Sequence, residues 1–227
     1  ETPSYKNYQT PDDLVEALRG WENIENANYN IDDYISTGAE REYFTGAWQP
    51  RLGFSYVMDE DRNHMLFGGY GRSYDRNQFD FMQLEMSTGS FTTAEYFFQG
   101  DAANPCDASS TNCVPWDASY LTQSGLDSLI ASTEVRGTRY MLPNDLKMPY
   151  SDQMSFGVRR VFGDWNTEVS LARVVSKNGF NWLLGNRLPN GEFFQEGTNW
   201  GAPWGYGIPG WGSLIIATND GETRANN

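Results

Sequence analysis

Between Trp48 and Tyr56 every second residue is apolar or aromatic. Trp48, Pro50, Leu52, Phe54 and Tyr56 fall on one side of an extended chain, and Gln49, Arg51, Gly53 and Ser55 fall on the other. Successive side chains of a strand point to opposite faces, so a period of two specifies a strand, where a helix would repeat at about 3.6. Residues 59–63, DEDRN, interrupt the alternation with charge and turn chemistry, and a second extended run, MLFGGYGRSY, follows from Met65 to Tyr74. The same design recurs downstream. Met154, Phe156 and Val158 oppose Gln153, Ser155, Gly157 and Arg159, the turn Phe162-Gly163-Asp164 follows, and then Trp165, Thr167, Val169 and Leu171 oppose Asn166, Glu168, Ser170 and Ala172. Each strand has one dry face and one wet face, and what the dry face touches decides the function.

Strands of about ten residues, alternation of period two, and short turns at one end against very long connections at the other are the pattern of an outer-membrane β-barrel. The residues add a resemblance. WQPRLGFSY (48–56) followed by FGGYGRSYDR (67–76), and later LKMPYSDQMSFGVRR (146–160) with WNTEVSLARVVSKNGF (165–180), resemble the barrel of TonB-dependent outer-membrane receptors, in particular the large-looped, Oar-type branch. The likeness covers most of residues 40–190. It implies an all-β fold of antiparallel transmembrane strands, part of a barrel of about twenty-two strands, with long extracellular loops that carry short helices. Such receptors also have an N-terminal plug and a TonB box, neither visible here, and the chain is expected to be a piece of a longer receptor. The resemblance further implies energy-coupled uptake of a scarce solute of the siderophore, cobalamin or oligosaccharide class, with outer-membrane lipid, the plug, TonB and the solute as partners.

The expected organisation follows from the alternation. Residues 1–46 form an extracellular loop with a short helix, 47–75 and 151–176 the two barrel hairpins, and 76–150 a long extracellular loop. Residues 177–227 supply an extracellular hairpin and a Trp/Gly-rich loop. In the barrel, Leu52, Phe54, Phe156, Val158, Val169 and Leu171 are expected to face lipid. Arg51, Gln153, Arg159 and Glu168 are expected to face the lumen, against the plug or bonded to one another across strands.

Composition agrees with this frame. Aromatic residues are 15% of the chain, with 8 Trp, 13 Tyr and 13 Phe, while mean hydropathy is −0.62; a thin lipid band with aromatic girdles and polar loops has this character. The longest compact apolar run, Leu214–Ala217, is far short of the roughly 18–20 residues of a transmembrane helix. No signal peptide is visible at Glu1. A formal charge of −14 opposes nucleic-acid binding, which needs a basic stripe to neutralise phosphate. The acidic surface fits solvated loops, with divalent-ion binding as the alternative.

The loops carry the remaining signals. Thr10-Pro11-Asp12-Asp13 predicts a helix of about nine residues, capped by Thr10 and closed by Gly20, with Leu14, Val15 and Leu18 as its apolar stripe. NIENANYNIDDYIS (23–36) is rich in oxygen ligands but lacks the spacing and central Gly of a calcium loop. The carboxylates of DED (59–61) read as solvated turn residues, with no nucleophile or positioned base nearby. Phe79, Met82 and Met86 predict a helical turn packed on the loop's own body, Ser90–Phe98 a strand, and Ser124-Gly125-Leu126-Asp127 a capping box for a helix through Ala131. Pro189-Asn190-Gly191 predicts a hairpin turn. The polar tail ATNDGETRANN (217–227) reads as strand-poor.

Two candidate sites complete the sequence's content. Cys106 and Cys113, flanked by Pro105 and Pro115, are placed to close a small disulfide ring worth about 2–3 kcal/mol; two free thiols are the alternative, and a metal site lacks support because His64 is the lone histidine. Trp200, Trp204, Tyr206 and Trp211 lie among glycines and prolines in TNWGAPWGYGIPGWGS (198–213) and read as stacking platforms for a sugar or other planar solute, or else as an aromatic-rich loop packed on its neighbours. The chain offers no catalytic constellation and no cofactor motif, so an enzyme is not expected. The reading from another class is a soluble or surface carbohydrate-binding, adhesive β-sandwich, in which the dry faces would bury each other and loops would stay short.

Overall fold

A computed structural model describes residues 3–75, 79–90, 96–98, 113–133, 137–199 and 205–227. In chain order the elements are α1 (Pro3–Lys6), α2 (Asp12–Arg19), β1 (Arg51–Val57), β2 (His64–Tyr74), α3 (Phe79–Ser90), β3 (Phe97–Phe98), β4 (Cys113–Val114), α4 (Gln123–Thr133), β5 (Arg139–Met141), β6 (Tyr150–Phe162), β7 (Trp165–Leu184), β8 (Thr198–Asn199), β9 (Tyr206–Gly207) and β10 (Leu214–Asn226). They divide into two compact units: residues 1–42, 79–145 and 182–217 in the first, and 43–78, 146–181 and 218–227 in the second.

The first unit has an ordinary buried core. Helix α2 brings Leu14 and Leu18 inward one turn apart, and they pack with Trp21, Ile24, Ile31, Tyr34, Met141, Phe194, Ile208, Trp211, Leu214 and Ile216. Each such side chain taken fully out of water contributes about 1.5–3 kcal/mol. The polar tips of the buried aromatics are satisfied by backbone: Trp21 Nε1 donates to the Glu196 carbonyl at 2.6 Å, and the Tyr34 hydroxyl to that of Ala217 at 3.0 Å. The expected cap on α2 is absent. Thr10 is buried, and its hydroxyl accepts the Ser36 N–H at 3.0 Å, so loop pairing takes the group that would have capped the helix. Nor does Ser124 open α4, which begins one residue earlier; the Thr122 hydroxyl accepts the Gly125 N–H, and Asp127 accepts from the Gln123 amide.

A buried ion pair lies in the same unit. The Arg41 guanidinium donates to both carboxylate oxygens of Glu85 at 2.6 and 2.8 Å, and both side chains are within 1% of full burial. The remaining valences are filled: Arg41 also donates to the Leu142 carbonyl and Asn144 Oδ1, Glu85 accepts the Leu142 N–H, and the rings of Tyr5 and Tyr8 cover the guanidinium at 4.6 and 5.1 Å. Burial, with the Glu85 carboxylate beside it, pushes the Tyr8 phenol up to about 12.

The second unit is built from strands. The sheet order is β1-β2-β6-β7-β10-β5; β1, β2, β6 and β7 pair antiparallel, while the parallel pairing of β5 with Leu214–Ile216 of β10 belongs to the first unit. Two tight connections, residues 58–63 and Gly163-Asp164, join β1 to β2 and β6 to β7. In the first, Asp59 is no merely solvated carboxylate: it accepts the backbone N–H groups of Asn63 and His64 at 3.1 and 2.8 Å and faces the His64 ring at 3.1 Å, closing the turn. Strand β7 runs on to Leu184. Contrary to the reading of the tail as strand-poor, 217–226 lie in β10, where Ala172 and Asn227 exchange both backbone hydrogen bonds. Ladder pairing with β7 prevails there over the poor strand propensity of Asn, Asp and Gly.

Candidate functional site

The register of the second unit fixes what each face of its sheet presents. Across β1, β2, β6 and β7 the rows Tyr56–Leu66–Val158–Val169 and Phe54–Gly68–Phe156–Leu171 align side by side, followed by Leu52–Tyr70–Met154. Nothing covers them among the described residues. Leu52 is 71% exposed, Phe54 51%, Val169 73% and Leu171 69%. On this same face Arg72 and Asp152 bound the apolar stretch at one end, joined at 2.7 and 2.8 Å, and Arg160 bounds it at the other, its guanidinium 4.0 Å from the Phe162 ring centroid. From Asp152 to Arg160 along β6 is roughly 27 Å at about 3.4 Å per residue, or about 21 Å if tilted by about 40°, near the roughly 25 Å band of outer-membrane barrels. Tyr74 and Tyr150 stand beyond one boundary, Phe162 and the exposed Trp165 beyond the other. Two girdles of aromatic rings thus flank an uncovered apolar band.

The opposite face is mostly small and polar, with Met65, Phe67 and Val174 among its rows. Arg51, Gly69, Gly71, Ser73, Gln153 and Ser155, with Ala172 and Val174, line a groove of about 510 Å³. Of the residues expected to face a lumen, Arg51 and Gln153 lie at this groove, in the row Arg51–Gly71–Gln153. Arg159 and Glu168 are direct cross-strand partners and form an ion pair at 2.8 Å, each more than 40% exposed. Phe67 lies over Gly157, where an added Cβ would stand 2.4 Å from the ring, and Phe54 lies over Gly68, at 2.7 Å. On both faces a glycine makes room for the neighbouring strand's ring.

The tryptophan segment divides. Trp200 and Trp204 lie outside the described residues. Tyr206 is half-buried at the start of β9, its carbonyl accepting the Asn186 amide at 2.8 Å. Trp211 is 5% exposed, a core residue with the Arg139 guanidinium 4.3 Å from its ring. Its ring packs in the first unit's core, as the alternative of an aromatic-rich loop packed on its neighbours expects for this residue. Cys113 begins β4, and Cys106 lies outside the described residues.

Three constellations escaped the sequence reading. The Arg41–Glu85 pair joins residues 44 positions apart, and the Arg72–Asp152–Tyr70 cluster spans 80 and 82. Only the β2–β6 register discloses the second, since Arg72 and Asp152 are directly paired. The third is the ring cluster Phe98, Trp116 and Tyr120, with centroids 5.0–6.1 Å apart.

A family model described as outer membrane beta barrel domain matches residues 21–221. Among solved structures, the siderophore receptor PirA from Pseudomonas aeruginosa is similar at 13% identity with a TM-score of 0.35, over 79% of this chain and 23% of that one; the chain thus spans about a quarter of that receptor's length. No curated protein matches the sequence.

Proposed function

This chain belongs to the outer membrane beta barrel domain family, and from that premise we propose that it is part of a TonB-dependent receptor of the large-looped, Oar-type branch. The protein lies in the outer membrane, in contact with its lipid. The observation that carries the proposal further is the uncovered apolar band between two aromatic girdles, backed by a polar, grooved face. A sheet with that division is stable where lipid covers one side and a hydrated interior meets the other. The sandwich reading requires a second sheet over the apolar face, and none is present among the described residues.

In the proposed receptor β1, β2, β6, β7 and β10 are members of a barrel of about twenty-two strands, the short turns lie on the periplasmic side, and the long connections are extracellular. The polar face lines the interior against a plug, and TonB relays energy for uptake of a siderophore, cobalamin or oligosaccharide. No enzymatic step, cofactor or metal enters this scheme. The test is uptake in cells carrying or lacking the intact gene, with and without TonB, offered a labelled ferric siderophore, cobalamin and an oligosaccharide in turn. One solute should accumulate only when both gene and TonB are present. Accumulation that ignores TonB would leave a passive barrel and remove the receptor reading.

A Cys106–Cys113 bond belongs to the same proposal, since an exported loop lies where disulfides persist. Peptide mapping without reductant should recover the linked pair; full alkylation of both thiols in protein taken from the envelope would remove it.

A further inference from the structure

The turn Pro189-Asn190-Gly191 lies in the first unit and takes no part in the barrel scheme. We propose that Asn190 is a modification site, at which the side-chain amide is lost as ammonia and the hairpin acquires, with age, a carboxylate that loosens it. The reaction needs water alone, and it stands whichever solute the receptor takes.

The turn is built around that one amide. The Gly191 N–H donates to the Leu188 carbonyl at 2.8 Å and the Leu188 N–H to that of Glu192 at 2.9 Å, closing a tight hairpin beyond the Arg187–Phe193 bridge. Asn190 Oδ1 accepts the Glu192 N–H at 3.0 Å, and Asn190 Nδ2 donates to the Glu192 carboxylate at 2.8 Å. Gly191 has a φ of +87°, and nothing stands within 4 Å of where a Cβ would lie. Both Asn190 and Gly191 are exposed.

These surroundings favour ring closure. The Gly191 nitrogen attacks Cγ of Asn190 and gives its proton to solvent, while the Cγ–Nδ2 bond breaks and Nδ2 takes up a proton to leave as ammonia. Negative charge develops on Oδ1 during the addition, and the Glu192 N–H is already directed there. Water then opens the succinimide at either carbonyl, giving aspartate or isoaspartate; one water enters and one ammonia leaves. The attack requires that the Gly191 bond to Leu188 open first, and a surface turn opens at low cost. With no side chain on Gly191, its nitrogen is unshielded. In the product the bond from Nδ2 to Glu192 is gone and a new carboxylate faces the old one, which leaves Arg187, donating to the Gly191 carbonyl at 3.1 Å, to hold the hairpin.

The chain's other Asn-Gly pair, Asn178-Gly179, is placed to resist the same chemistry. It lies within β7. Asn178 Nδ2 donates to the Met148 carbonyl at 3.2 Å, the Asn178 carbonyl accepts from Asn219 at 2.9 Å, and the Gly221 backbone would stand 3.2–3.4 Å from a Cβ added to Gly179. Surroundings, not the dipeptide, select Asn190.

The experiment holds the intact protein, folded in a neutral detergent at mildly alkaline pH, for increasing times and maps its peptides by mass. The peptide spanning residues 188–192 should show amide replaced by acid, split into aspartate and isoaspartate forms. Conversion at Asn190 should outrun that at Asn178 roughly tenfold or more, since a strand opens more rarely than a surface turn. In protein unfolded by urea the two should convert at like rates, and Asn190→Gln, whose ring would need one more atom, should give no product in this peptide. Equal rates at the two sites in the folded protein, or an Asn190 amide that outlasts that of Asn178, would overturn the site. Asn190→Asp, which fixes one product form, should raise hydrogen exchange of residues 187–193 several-fold; unchanged exchange would overturn the loosening.

Discussion

The two units use the same apolar side chains in opposite ways. In the first, Leu14, Leu18, Ile208 and Leu214 are at most 1% exposed, and a charged pair, Arg41–Glu85, is sealed among rings. In the second, Leu52, Phe54, Val169 and Leu171 stand open, while the other face is mostly arginine, serine and glycine around a few apolar side chains such as Phe67. The first is organised against water, the second for two solvents at once. Burial alone would condemn the second as a sheet with its core exposed. Family membership supplies the missing solvent, because the outer membrane covers an apolar face as a core would.

The comparison breaks first, and hardest, at Glu85. Removing one member of a buried pair strands the other as an uncompensated charge, at a cost of about 3–5 kcal/mol. Glu85→Ala should therefore unfold the first unit, seen as protease cleavage within residues 1–42 and 182–217, while barrel insertion persists. Replacing both partners with apolar residues, Arg41→Met with Glu85→Met, should recover much of the loss, since the pair's desolvation penalty disappears with its attraction. A single substitution no worse than the double would mean that the pair is hydrated and the first unit less closed than its geometry.

At Phe156 the effect is expected to fall on the other unit. An Arg at mid-membrane on a barrel's lipid face costs about 2–4 kcal/mol, so Phe156→Arg should impair assembly, measured as heat-modifiable mobility and surface yield, far more than Ser155→Arg on the polar face. The two positions adjoin in β6 and differ only in the side they face. Equal effects would merge the two faces and with them the barrel reading.

How much of this is legible in the sequence follows from the range of each signal. The hairpins were readable because alternation is local: residues 51–57 and 64–74 disclose both their strands and the turn between them, and Leu52, Phe54, Phe156, Val158, Val169 and Leu171 share the face assigned to them. Strand β10 was missed beyond Ala217 because its evidence is the ladder with β7, not its own side chains. The burial of Trp211 was not legible because composition shows that rings sit among glycines but not which way they turn. Arg41 with Glu85, and Arg72 with Asp152, were invisible for a third reason: each is a contact between distant segments, fixed by packing or register. Thr10 is the instructive small case, a helix-capping residue by sequence whose hydroxyl the Ser36 backbone takes first.

The smallest effect belongs to that same loop. Glu40 is exposed, yet the Thr37 hydroxyl donates to it, as do the backbone N–H groups of Thr37 at 2.7 Å and Ala39 at 3.2 Å, which hold the carboxyl at about 2, below its ordinary 4.5. A carboxyl lowered in the folded state favours folding when ionised. Its contribution is thus present in full above about 4.5 and is lost as pH falls through about 2. Hydrogen exchange of residues 36–40, corrected for intrinsic rates, should show protection that persists at about pH 3, where an ordinary glutamate is mostly protonated, and that declines toward pH 2. Glu40→Gln keeps an acceptor oxygen but has no charge to lose, so its protection should be lower and independent of pH across that window. A wild-type midpoint near 4.5 would mean that the carboxylate is merely solvated, and that the first unit's order stops at its core and does not extend to its surface turns.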